Sequence, residues 1–294
     1  MSSTQNNILM EIAPRIVSLG GPSVHRLMPY AKKRMIGPFI FFDYFPATEF
    51  AAGEGMNVRP HPHIGLSTLS YLLEGKVLHH DSLGCKQVLS PGDVNWMTAG
   101  KGISHSEKVP EELRGKAHRL HLLQFWVALP VQHEDTEPSF THHPQSSIPR
   151  FEEKGADISL IAGSAFDRTS PVKTYSPLFF MDVKLNAGQV FEFDPGTQEL
   201  AFFIIAGQLS LGEKNIAPDD FVILEHDSSL KVTATTATHF VVLGGESFPE
   251  PRHIFWNYVS SSKDKIEMAK EQWRNGTFPM VQGEPDIIPL PAGS

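Results

Sequence analysis

Two short strings hold the residues best suited to chemistry, His61-Pro62-His63 and His105-Ser106-Glu107. In each, the functional side chains are spaced i, i+2. Alternate side chains of an extended strand share a face, so each string presents a pair to one side. Two such strands lying together would gather three imidazoles and one carboxylate at a point, donors that suit a divalent transition metal. Four protein donors leave an octahedral ion two open positions. An ion held this way can act as a Lewis acid toward a ligand in an open position.

Such pairs need strands to carry them. The chain has 23 glycines and 23 prolines, spread between short segments rich in Val, Ile, Leu, Phe and Thr, the pattern of a β-sandwich or barrel. Candidate strands are Pro38 to Phe42, Thr68 to Leu73, Val77 to Asp81, Lys86 to Leu89, Val94 to Thr98 and Leu120 to Ala128. In the second half they are Leu200 to Ile205, Leu209 to Leu211, Phe221 to Leu224, Val232 to Thr236 and Phe240 to Leu243. Leu72-Leu73-Glu74-Gly75-Lys76-Val77 with Leu89-Ser90-Pro91-Gly92-Asp93-Val94 is echoed by Ile205-Ala206-Gly207-Gln208-Leu209 with Ile216-Ala217-Pro218-Asp219-Asp220-Phe221. The echo predicts a duplicated β-barrel domain.

A polar stretch from Pro130 to Pro149 is the expected connection, with Glu134-Asp135 solvated. It sets the domains at 1–135, with the metal site, and 136–294, without it. The second domain is expected to include a helix at 262–275, with Ser261 capping through Asp264 and with Ile266, Ala269 and Trp273 on one face. The tail from Pro279 to Pro291 contains four prolines and cannot be regular helix; it is expected to lie extended over a barrel.

The bulk properties exclude several classes. Of 294 residues, 40% are hydrophobic, enough for a core, and the formal net charge of −8 argues against a protein that grips nucleic acid by its phosphates. The single cysteine, Cys85, allows no disulfide within the chain and is read as a bystander. The first residues show no basic segment followed by an apolar one, and no apolar run approaches the ~18 residues of a membrane span. The expectation is a soluble, cytoplasmic monomer.

The first half resembles a cupin. Gly55, five residues, His61-Pro62-His63, four residues, Thr68, six residues and Gly75 follow the first cupin motif, with Thr68 where a Glu is usual. Gly92, five residues, then Thr98-Ala99-Gly100 follow the second, but the histidine arrives two residues late, at His105. These departures resemble the pirins in particular. The resemblance lies in Gly37-Pro38-Phe39, Phe42-Asp43, Arg59-Pro60-His61-Pro62-His63-Ile64-Gly65 and Thr98-Ala99-Gly100-Lys101-Gly102-Ile103-Ser104-His105-Ser106-Glu107, and it covers nearly the whole chain.

The resemblance implies an all-β bicupin, two jelly-roll barrels with a C-terminal helix and an extended tail. It also implies metal ligands at His61, His63, His105 and Glu107, with Glu107 the best candidate for general base as well. Fe(II) is the expected ion, with Mn, Ni, Cu, Co and Zn as alternatives. Some pirins have quercetin 2,3-dioxygenase activity. The implied reaction is O2-dependent cleavage of a planar enolic or phenolic substrate such as a flavonol, with loss of carbon monoxide. Others are described as iron-dependent nuclear cofactors of transcription factors, so the alternative is a non-catalytic, redox-sensing regulator that binds a protein partner.

Further expectations attach to single residues. Phe41, Phe45, Trp96, Phe125 and Trp126 are candidates to line a flat pocket, although barrel aromatics are mostly core. Arg59 and Lys101 flank the ligands and are expected to hold an anionic substrate or to support the ligands. His79-His80 and His142-His143 are adjacent pairs whose members face opposite ways, which argues against chelation. In the second half, Asp194-Pro195-Gly196 stands where His61-Pro62-His63 stands in the first, so that barrel is expected to bind no metal.

Overall fold

The computed structural model describes residues 4–5, 7–18 and 23–291; the outer limits of the two expected domains, residues 1 and 294, lie outside them. The chain forms two compact units. One comprises Ile16–Arg26, Phe41–Gln145 and Pro249–Ser294, the other Met1–Arg15, Leu27–Ile40 and Ser146–Phe248.

The first unit holds all the candidate site residues. Among the described residues its seven-stranded sheet runs in the order Ser139–His143, Val94–Thr98, Leu66–Glu74, His118–Ala128, Phe39–Phe50, Ser23–Met28, Arg15–Ser18. A four-stranded sheet runs Val58–His63, Ile103–Lys108, Val77–Asp81, Lys86–Leu89. The inner faces meet. Leu72, Leu120, Leu122 and Phe45 of the larger sheet form one buried cluster with Val77 and Leu89 of the smaller. That cluster closes one part of the interior with apolar contacts, and another part holds the buried histidines and Glu107.

The second unit has the same plan with a different filling. Its eight-stranded sheet carries Leu178–Leu185, Thr238–Gly245 and Glu199–Ala206 as neighbours. Its five-stranded sheet includes Val190–Phe193, Leu209–Leu211 and Ser228–Ala234. Phe179, Phe191, Phe202, Phe240, Met181 and Leu230 interlock between the two sheets, all buried. Two double-sheet β domains with, among the described residues, one α-helix fulfil the expected all-β bicupin architecture.

The helix and the tail require a correction. The helix Lys263–Arg274 buries Ile266, Ala269 and Trp273 as predicted. It lays them on Ile64, Tyr258 and Phe278, however, which belong to the histidine-bearing unit and not to the second domain. The tail goes with it. Ser104 Oγ donates to Pro279 O at 2.6 Å, Ile288 N to Pro60 O at 2.9 Å, and Trp273 Nε1 to Ile288 O at 2.9 Å. The residue at the helix N-terminus is Ser262, whose side chain makes no capping bond; Ser261 Oγ instead donates to Glu134 at 3.1 Å.

The predicted connection is not a free linker either. Ser139–His143 is an edge strand of the seven-stranded sheet, and Glu134 is only 2% exposed. Its carboxylate pairs with Arg252 at 3.1 Å and accepts hydrogen bonds from Ser260 Oγ and Ser261 N at 2.8 and 2.7 Å. A charge buried this deeply is tolerable because it is both paired and hydrogen-bonded. The partners come from far along the chain, so no local pattern around Glu134 reveals them.

Candidate metal centre

The strands Val58–His63 and Ile103–Lys108 pair antiparallel, with His105 opposite His61 and Ile103 opposite His63. The i, i+2 spacing therefore does what the alternation rule requires, and three imidazoles converge on the interior. Pro62, which has no N–H to give, sits on the edge strand of its sheet. The turn that delivers His105 depends on glycine. Gly100 has φ +50°, and a Cβ there would lie 1.9 Å from Thr136 O.

The ring centroids are 5.0 Å apart for His61 and His63, 4.4 Å for His61 and His105, and 5.1 Å for His63 and His105. One nitrogen from each can be chosen so that all lie within 4.8 Å of one another. The hydrogen bonds say which. His61 Nδ1 donates to Arg59 O at 2.9 Å, and His63 Nδ1 to Asn257 O at 3.1 Å. A carbonyl can only accept, so both rings carry the proton on Nδ1 and leave a lone pair on Nε2. His63 Nε2 and His105 Nε2 are buried with no hydrogen-bond partner. Burial holds His61 down to about 4 and His63 and His105 well below the ordinary histidine value, so all three are neutral bases at pH 7. Unprotonated, unpartnered imidazole nitrogens that converge in a buried space are what a transition-metal ion requires. The donor set fits such an ion.

Glu107 points to the same interior. Ser70 Oγ lies 3.3 Å from the Glu107 carboxylate and 2.8 Å from Gln124 Oε1, and the two acceptors share its one proton. The carboxylate is not among the groups that fall within 4.8 Å of one another. Burial raises its pKa to about 7, with the Ser70 hydrogen bond pulling the other way.

The aromatic candidates separate by face. Leu69, Trp96 and Phe125 are opposite one another in register, as are Thr68, Met97 and Trp126; the two rows point to opposite sides of the sheet. Trp126 meets His63 edge-on at 5.2 Å and stacks on Phe41 at 4.0 Å. Phe125 faces away and stacks on Phe42, while Phe45 belongs to the apolar cluster. Only Phe41 and Trp126 of the five belong to this aromatic wall beside the histidines.

Arg59 and Lys101 do not serve the site with their side chains. Arg59 pairs with Asp286 of the tail at 2.7 Å, and Lys101 pairs with Glu137 at 2.5 Å, both near the surface. A bulge sets Glu107 opposite Val58, which turns Val58 into the core and Arg59 out. His79 was set aside by sequence reasoning, yet it lies inside. Its Nδ1 is 3.3 Å from His105 Nδ1 and its Nε2 is 2.9 Å from Asp81 Oδ2. His80, its neighbour, faces the other way and bonds Glu284 of the tail. The available signal was His79-His80-Asp81, a third polar i, i+2 pair.

The Pirin family model matches residues 21–127, and the model of the Pirin C-terminal cupin domain matches residues 180–279. The chain belongs to the pirin family. A pirin-like protein of Caulobacter vibrioides is 41% identical, over 93% of this chain and 96% of its own. Human pirin is 30% identical, over 92% of this chain and 93% of its own. Among solved structures, a quercetin 2,3-dioxygenase from Acinetobacter baumannii superposes with a TM-score of 0.89 at 31% identity, covering 97% of this chain and 95% of that one. The His61-Pro62-His63 and His105-Ser106-Glu107 strings both fall inside the Pirin match, and this pirin's helix falls inside the C-terminal match. No helix among the described residues is long and apolar enough to cross a membrane.

Proposed function

We propose that this pirin is a metal-dependent dioxygenase that cleaves flavonols such as quercetin with O2. Its ion, Fe(II) by preference, would be held on Nε2 of His61, His63 and His105, with Glu107 as the fourth ligand. The observation that carries the reading is the convergence of three neutral imidazole nitrogens, two of them buried and unpartnered. Bound there, the ion would supply Lewis acidity toward a substrate oxygen and electronic access to O2. The similarity to a quercetin 2,3-dioxygenase along nearly the whole chain supports the substrate class.

The chain's own residues divide the remaining work. Glu107, the buried carboxylate beside the three histidines, would accept the hydroxyl proton of a flavonol as general base. Ser70, bonded to both Glu107 and Gln124, keeps that carboxyl oriented. Trp126, backed by Phe41, offers a flat wall beside His63 for a planar ring system. Burial of the whole group keeps bulk water from the electron-rich substrate.

The test is an O2-electrode assay of iron-loaded protein with quercetin. One O2 consumed and one carbon monoxide released per flavonol is the expected result. Absence of uptake by protein that holds stoichiometric iron would leave the regulator as the better reading.

A further inference from the structure

The three histidines are not oriented alike. His61 and His63 donate to backbone carbonyls, Arg59 O and Asn257 O, acceptors that no substitution removes. His105 has a side chain as its partner. Its Nδ1 is 3.3 Å from His79 Nδ1, and His79 Nε2 is 2.9 Å from Asp81 Oδ2. Asp81 is fully buried, and its other oxygen accepts from the backbone N–H of Leu83 at 2.9 Å and of Cys85 at 3.1 Å.

We propose that Asp81 and His79 are positioning residues, a side-chain relay that sets the tautomer of His105 and aims its Nε2 lone pair between His61 and His63. The inference rests on the reading of these three histidines as ligands. The logic follows from donor and acceptor capacity. A carboxylate oxygen accepts the Nε2 proton of His79, so a His79 that carries one proton holds it on Nε2 and turns a lone pair on Nδ1 toward His105. His105 must then place its own proton on Nδ1, which leaves Nε2 bare. His105 Nε2 is indeed buried without a partner.

Two features hold the relay in place. The strand Val77–Asp81 pairs with Ile103–Lys108, with Asp81 opposite His105 and His79 opposite Glu107. The His79 ring also stacks on Phe140, 4.2 Å between centroids and 12° from parallel. Carboxylate–histidine contacts behind a ligand fix its ring and raise its basicity.

The decisive substitution is Asp81→Asn. The amide oxygen can still accept from Leu83 and Cys85, while its NH2 now donates to His79 Nε2. His79 then carries its proton on Nδ1, His105 Nδ1 becomes the acceptor, and His105 holds its proton on Nε2, where the ion belongs. The whole relay is inverted without loss of volume. The tautomers of metal-free protein are read by long-range 1H–15N correlation on 15N-histidine-labelled samples, with the His105 signals assigned by their loss in His105→Gln. Affinity is read by calorimetric titration with Ni(II) alone.

In the unsubstituted chain His105 should be protonated on Nδ1. In Asp81→Asn it should be protonated on Nε2, with Ni(II) bound about 10- to 100-fold more weakly. An unchanged His105 tautomer in Asp81→Asn overturns the relay. Should Asp81→Asn not fold, His79→Phe keeps a ring against Phe140 and removes the acceptor; His105 should then exchange between tautomers, and a signal still fixed as Nδ1–H overturns the proposal. If the tautomers invert but the unsubstituted protein takes up no Ni(II), the relay stands and the ligand reading fails. If Ni(II) binds and the tautomers do not invert, the relay alone fails.

Discussion

The two units build the same double sheet and fill it differently. In the second, Phe179, Phe191, Phe202 and Phe240 occupy the interior with Met181, Leu230 and Val242 around them. In the first, part of the same space holds His61, His63, His79, His105, Glu107, Ser70 and Gln124. Of the 14 histidines, only His226 and His239 fall within the second unit. The loop Asp194-Pro195-Gly196, which stands where His61-Pro62-His63 stands, is a turn. Asp194 is exposed and its Oδ1 accepts from Gly196 N at 2.9 Å. The second unit's double sheet thus closes on a phenylalanine-rich core, and the first unit's interior adds buried polar side chains to the same plan. Function sits in a site carried by the fold.

Four variants would break or sharpen that contrast. The largest effect is expected from the double substitution of His61 and His105 to Ala. It should abolish stoichiometric metal binding, read by elemental analysis, while far-ultraviolet circular dichroism stays unchanged; retained stoichiometric metal would refute the ligand set. Phe202→Ala in the other unit should do the reverse. It opens a cavity in an interlocked core and should cost about 3–5 kcal/mol in denaturant unfolding, with metal content intact. Glu107→Gln keeps the shape and removes the base. It should lower flavonol turnover by about 10²–10⁴-fold and metal content far less, and equal losses of both would reduce Glu107 to a ligand only. Asp194→Ala should change nothing in metal content, since its carboxylate closes an exposed turn; any loss of metal would place a ligand role in the wrong unit.

What could be read from the chain, and what could not, follows the reach of each interaction. Val77–Asp81, Val94–Thr98 and Phe221–Leu224 begin and end where glycine, proline and alternation place them. The ligand pairs were legible because period-two spacing is a property of the strand itself. His79 was not, because a rule that two neighbours face opposite ways does not say which one faces inward. That is decided by the strand carrying His105, which pairs alongside. Arg59 was misjudged because a bulge shifts the alternation by one residue between Val58 and His61. Glu134 looked like solvated linker because Arg252, Ser260 and Ser261, which bury and neutralise it, come from a distant stretch of chain. The helix was found, but its home was not. An amphipathic stripe of Ile266, Ala269 and Trp273 declares that it must be covered, not by what.

The most direct test is a crystal structure of metal-loaded protein with anomalous diffraction collected at the absorption edge of the ion. The account predicts one ion per chain, within bonding distance of Nε2 of His61, His63 and His105, and none among the phenylalanines of the second unit. An ion bound elsewhere, or three imidazoles that remain unmetallated while the protein carries stoichiometric metal, would contradict it.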